Sequence, residues 1–154
     1  MQFKDKIILI TGAASGIGRA AAFAFAKEGG TIVVSDINEK GGIETVSQIK
    51  ATGKKAIFIK TNVADFASVE KLMQRIIDQF GRLDIAINNA GIIGANARTI
   101  DIPLESWKQV MAVNASGVFY CMKMQIPIML QQGGGAIVNT ASIAGLKGLS
   151  LIHI

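Results

Sequence analysis

Five short runs rich in branched apolar residues punctuate this chain: Ile7 to Ile10, Thr31 to Ser35, Ala56 to Lys60, Asp84 to Asn88 and Ala136 to Thr140. Each is separated from the next by a stretch long enough for a helix, an alternation that predicts a parallel β-sheet with crossover helices. The runs are apolar almost throughout instead of at every second residue. That pattern belongs to strands covered on both faces, so the fold class is α/β with helices on both sides of the sheet.

The intervening stretches carry helical spacing. Ile17, Ala20, Ala21, Ala24 and Phe25 repeat at helical intervals, and their small members let the first helix lie close to the sheet. Val69, Leu72, Met73, Ile76 and Phe80 do the same, with Asp65 placed as an N-cap. Val118, Cys121, Met122 and Met129 mark a long helix opening near Val113, and Pro127 inside it removes a donor to the carbonyl of Lys123 and predicts a kink.

The first strand runs into Thr11-Gly-Ala-Ala-Ser-Gly-Ile-Gly18, a strand turning tightly into a helix. Glycines at Gly12, Gly16 and Gly18 remove the Cβ atoms that would obstruct a tight turn, a close approach of phosphate to backbone and close packing of the helix on the sheet. The helix N-terminus then offers free N–H groups and the positive end of its dipole. Asp36 closes the second strand near the roughly 20-residue offset at which a carboxylate meets an adenosine ribose. Such a carboxylate accepts hydrogen bonds from the ribose hydroxyls and repels a 2′-phosphate, which favours NAD over NADP. Taken alone, Asp36 also reads as a residue capping the turn before Asn38, and Arg19 keeps NADP as the lesser alternative.

Bulk properties narrow the classes. With 154 residues, half of them hydrophobic and 18% charged, the chain has material for one domain with a sizeable core. The longest uninterrupted apolar run, Ala20 to Ala26, is too short for a membrane span, and a cytoplasmic location is the default expectation. Cys121 is the only cysteine, so no internal disulfide forms, and it reads as a small buried hydrophobe. The net charge of +5 is spread over scattered Lys and Arg residues with one adjacent pair, Lys54-Lys55, and no nucleic-acid motif accompanies it. His153, the single histidine, has no partner in the sequence that would make it a base or a metal ligand, and no metal site is predicted.

Four motifs in order, Thr11-Gly-x-x-x-Gly-x-Gly18, Asn88-Asn-Ala-Gly91, Asn114 opening the long helix and Ser142 after the fifth strand, resemble those of the short-chain dehydrogenase/reductase family. The resemblance implies a Rossmann-type doubly wound sheet with strand order 3-2-1-4-5, and an oxidoreductase moving a hydride between NAD and a small secondary alcohol or ketone. It implies that Gly12, Ser15, Gly16, Ile17, Gly18 and Asp36 hold the cofactor, that Asn62 and Val63 border the adenine, and that Asn89, Ala90, Gly91 and Thr140 flank the cofactor beyond the fourth and fifth strands. Asn62 stands where many relatives have Asp, keeping an acceptor without the charge. Ser142 would steady the substrate oxygen, and the Asn114 side chain would help hold a water in a proton relay. As isolated residues they read as a turn Ser and an N-cap.

The family's general acid/base is a Tyr with a Lys four residues on, due about thirteen residues past Ser142, and Tyr120 does not fit that pattern because Met124 follows it. The resemblance therefore implies an N-terminal fragment, residues 1–148 forming a truncated dinucleotide-binding domain that is inactive by itself. The family-like sequence stops at Gly148, and residues 149–154 are expected to be a non-native tail. A raw edge on the fifth strand and an exposed apolar face around Val118 and Met122 predict poor solubility. The complete parent would be a homodimer or homotetramer, with no nucleic-acid or membrane partner. A non-catalytic dinucleotide-binding or assembly module is the alternative.

Overall fold

The computed structural model describes residues 1–143. The expected domain boundary at Gly148, the tail 149–154 and His153 lie outside the described residues. Strands β1 (Ile7–Thr11), β2 (Thr31–Asp36), β3 (Ala56–Lys60), β4 (Ile85–Asn88) and β5 (Ala136–Asn139) form one parallel sheet in the order β3-β2-β1-β4-β5. All five expected strands are present in the expected order, with ends displaced by at most a residue. The helices are α1 (Gly16–Lys27), α2 (Glu39–Ala51), α3 (Phe66–Phe80), α4 (Leu104–Met111) and α5 (Gly117–Gln131).

Alternate residues of β1 to β4 feed two cores, while β5 adds only the partly buried Ile137. Ile8, Ile10, Ile32, Val34 and Ile87 meet Ala22 and Ala26 of α1 and Val46 and Ile49 of α2. On the other face Ile7, Leu9, Val33, Ile59 and Ala86 meet Leu72, Met73 and Ile76 of α3 and Met129 of α5. Burial on both faces explains why β1 to β4 carry no polar alternation; β5, expected to be covered alike, exposes three of its four residues. Small residues set the distances: a Cβ on Gly42 of α2 would come within 2.1 Å of the Phe58 ring on β3, so that helix can approach only without a side chain there. As expected, Asp65 caps α3, accepting from the Ala67 N–H at 3.1 Å.

The sequence reading places the start of the long helix too late. Helix begins at Leu104 after Pro103, runs through a π-helical turn at Ala112–Ser116 and continues as α5. Asn114 therefore sits inside a helix, not at its start. The missed segment α4 buries none of its residues, so it has no core-facing stripe for periodicity to detect. Pro127 lies within α5 without ending it. On the outer side of α5, Phe119, Ile126 and Leu130 are exposed, as is Val138 on the edge strand β5; Val118 and Met122 are half-buried.

The end of the sheet where the strands begin is closed by charge. Asp84 accepts from the Ile7 N–H at 2.9 Å, Lys6 Nζ at 3.2 Å and Arg82 Nε at 3.0 Å. Burial pushes its carboxyl up, but the Arg82 and Ile7 hydrogen bonds, Lys6 and the Arg82 charge together hold it below the usual carboxylate value.

Candidate dinucleotide site

The opposite end, where the strands finish, opens into a cleft of about 730 Å³. Position alone makes it the expected binding site of an open parallel sheet. Its floor is the β1–α1 turn, with Gly12, Ser15, Gly16 and Ile17 on the surface. Ser15 precedes α1 with extended backbone and makes no side-chain cap to the helix. The first N–H groups of α1 are thus left to a ligand, the arrangement that suits an anion.

The three glycines serve three needs. Gly16 has φ +53° and a Cβ there would meet nothing within 4 Å, so its requirement is backbone conformation beside open space. Gly18, buried behind the turn, has no room at all: a Cβ would lie 2.2 Å from the Gly12 carbonyl oxygen. Gly12 lets the turn abut β4, where its Cβ would stand 2.8 Å from Ala90 Cα.

That contact is held by Thr11, which the sequence reading did not place in the site. Its buried hydroxyl oxygen accepts from the backbone N–H groups of Asn89 at 3.0 Å and Ala90 at 3.1 Å. The Asn89 side chain donates back to the carbonyls of Thr11 at 3.1 Å and Gly12 at 3.3 Å. Asn89 therefore shapes the glycine turn with its amide while lining the cleft beside Ala90 and Gly91. A polar residue closing an otherwise apolar strand was the available signal for Thr11.

At the far end, Asp36 makes the turn-capping bond and faces the cleft. Oδ1 accepts from the Asn38 N–H and Oδ2 from the Ala14 N–H, each at 2.9 Å, so the turn-capping bond exists and the carboxylate is fixed at the cleft. Arg19 points elsewhere: its guanidinium donates to the carbonyls of Ala14 and Gly41 and pairs with Glu44 at 3.4 Å. Asn62 and Val63 also line the cleft. The Asn62 Oδ1 already accepts from the Ala64 N–H at 3.1 Å, which leaves one lone pair for a ligand donor.

The cleft continues past Gly91 to Ile92, Gln109 and Val113. Here the Asn114 amide is doubly bonded to one residue, accepting from the Ile92 N–H at 2.9 Å and donating to the Ile92 carbonyl at 2.8 Å. Its side chain holds the segment leaving β4. The π turn around it, in which the Gly117 N–H reaches back to the Ala112 carbonyl, adds one residue to the helix and aims Asn114 at that segment. Thr140 leaves β5 with its N–H on the Asn88 carbonyl at 3.0 Å and its hydroxyl 3.5 Å from Asn89 Oδ1. Ser142 lies two residues further on and is exposed; neither it nor Asn114 nor Thr140 lines the cleft. Cys121 is buried behind the site, its thiol pushed up to about 12 by desolvation and hence un-ionised.

The residues fit a dinucleotide on geometric grounds: an uncapped helix N-terminus, a glycine facing open space and an anchored carboxylate lie along one cleft. Among the described residues no group of three His, Cys, Asp or Glu side chains is arranged to hold a metal, and no helix is long and apolar enough to cross a membrane.

Comparison with known proteins agrees with this geometry. The chain is 44% identical over 151 residues to a cyclohexanol dehydrogenase of Acinetobacter sp. (strain SE19), covering 98% of this chain and 60% of that protein. It is 42% identical to a 3beta-hydroxysteroid dehydrogenase of Mediterraneibacter gnavus, covering 96% and 53%. Among solved structures, an NAD+-bound xylitol dehydrogenase superposes with a TM-score of 0.95 at 33% identity, over 99% of this chain and 58% of that one. A short-chain dehydrogenase/reductase from Burkholderia phymatum in complex with NAD gives 0.92 at 37%, over 97% and 53%. The chain thus spans little more than half the length of these relatives. Residues 6–153 match the short chain dehydrogenase family, and the chain belongs to it.

Proposed function

We propose that this chain binds NAD in preference to NADP, and that the longer protein to which such a chain belongs moves a hydride between that cofactor and a secondary alcohol or ketone. The observation that carries the cofactor choice is the Asp36 carboxylate, fixed at the cleft by two backbone N–H groups while Arg19 is engaged with Ala14, Gly41 and Glu44. A fixed carboxylate accepts from ribose hydroxyls and repels a 2′-phosphate. The α1 N-terminus and Gly16 would receive the pyrophosphate, and Ile37 and Val63 supply apolar surface at the adenosine end. Bound NAD supplies the hydride acceptor. Ser142 would donate to the substrate oxygen, Asn114 would hold the Ile92 wall, and the proton of the alcohol would pass to a Tyr-x-x-x-Lys pair in the part of the relatives that this chain does not span. The substrate class draws support from the names of the bacterial relatives, a cyclohexanol and a 3beta-hydroxysteroid dehydrogenase.

Titration calorimetry of the chain with each cofactor tests the reading. NAD should bind at least about tenfold more tightly than NADP, the factor for ~1.4 kcal/mol of charge discrimination, and Asp36→Ala should erase most of that gap. Tighter NADP binding, or an unchanged gap in the variant, would refute the role given to Asp36.

A further inference from the structure

Gln125 stands on the buried face of α5, four residues from Cys121 and from Met129, and is 0% exposed. A fully buried carboxamide is costly unless its hydrogen bonds are made. Here they are made reciprocally with Asn88 at the end of β4: Asn88 Nδ2 donates to Gln125 Oε1 at 3.1 Å and Gln125 Nε2 donates to Asn88 Oδ1 at 2.8 Å. The remaining Asn88 donor goes to Asn139 Oδ1 at 2.9 Å, on the residue paired with Asn88 across the β4–β5 ladder. Asn139 in turn donates to the Met122 sulfur of α5 at 3.2 Å, and the Asn88 carbonyl receives the Thr140 N–H at 3.0 Å.

Among the described residues β5 stands last in the strand order and exposes three of its four residues, so within them little apolar burial holds its end in place. Ser142 follows β5 by three residues. We propose that Gln125 is a positioning residue for the reacting end: its amide pair with Asn88 holds Asn139, and so fixes the chain segment Thr140 to Ser142. The inference rests on the reading that Ser142 meets the substrate oxygen. The α4-to-α5 helix then orders both walls of that end, the segment leaving β4 through Asn114 and the segment leaving β5 through Gln125.

The test is hydrogen exchange followed by nuclear magnetic resonance on the chain without cofactor, so its result is independent of whether NAD binds. Gln125→Leu keeps the apolar volume and strands the Asn88 amide. The Thr140 amide, bonded to the Asn88 carbonyl, should exchange about tenfold faster, the factor for one unsatisfied buried group, while those of Ile8, Leu9 and Ile32 keep their protection. Asn139→Leu should raise the same rate, and adding Gln125→Leu to it should raise it no further, because Gln125 acts through Asn88 on Asn139. Equal loosening of every core amide, or additive effects in the double variant, would overturn the proposal. Gln125→Met provides the same comparison should the Leu variant unfold.

Discussion

Replacing Thr11 by Val keeps the shape of the side chain and removes one oxygen. That oxygen accepts two backbone N–H groups, from Asn89 and Ala90, at 3.0 and 3.1 Å. Valine offers no acceptor, and the contact between the glycine turn and β4 leaves no space for a compensating water, since Gly12 lies against Ala90 too closely for even a Cβ. Each stranded donor costs ~1–3 kcal/mol when fully buried. Asn89 and Ala90 are half-buried, so the lower part of that range applies to each, or about 2–3 kcal/mol together. Denaturation by urea should show a lower midpoint with unchanged slope, the sign of a weaker native state and not a changed unfolded one. NAD binding should also weaken, because Asn89 and the turn share those bonds. A loss below about 0.5 kcal/mol, the range of ordinary surface substitutions, would show that the two N–H groups do not depend on Thr11.

Two further outcomes follow from contacts at the two ends of the sheet. Asp84 has its carboxyl held below the usual value in the folded chain, so its contribution is complete above the ordinary carboxylate pKa and disappears as pH falls through the lowered folded value; Asp84→Asn should lower the urea midpoint at pH 7 and flatten the acid limb, whereas a parallel pH profile would refute it. Gly16→Ala and Gly18→Ala should separate conformation from space: the first keeps the fold at a cost of about 1–2 kcal/mol for its left-handed backbone, while the second, with a Cβ 2.2 Å from the Gly12 oxygen, should displace the turn and abolish NAD binding in the same calorimetric assay.

Most of the sheet was legible because its strands are buried on both faces, and burial writes continuous apolar runs into a sequence. The glycine turn and Asp36 were legible for a related reason: the close approach of Gly18 to Gly12 and the fixed offset to the second strand are demands of backbone geometry that only particular residue types meet. What escaped were features that leave no periodic trace. Helix α4 buries nothing, so its start could not be read from a core stripe, and Asn114 was consequently placed at a helix end. Thr11 and Gln125 each act through a pair of hydrogen bonds to residues distant in the sequence. The one mark either leaves is a polar residue where an apolar one would pack, as Gln125 does between Cys121 and Met129.

The glycine turn and the segments after β4 and β5 are held by different means, and this bears on how chemistry can vary upon one frame. The glycine turn rests on buried backbone: Thr11, Gly18 and the Ala14 N–H cannot be altered without moving β1 against β4 or against Asp36. By contrast, the exposed segments after β4 and β5 are each tethered by a side-chain amide from one helix, Asn114 to Ile92 and Gln125 through Asn88 to Asn139. Net contributions of such tethers are about 1 kcal/mol each, small beside the apolar burial that sets the sheet. Residues between the tethers can therefore change, and with them the shape offered to a substrate, while the strands and the nucleotide turn stay where they are. Loops on a rigid scaffold are where specificity can be altered at least cost to the fold, and under the proposed function the tethers mark where the scaffold ends and the substrate-facing loops begin.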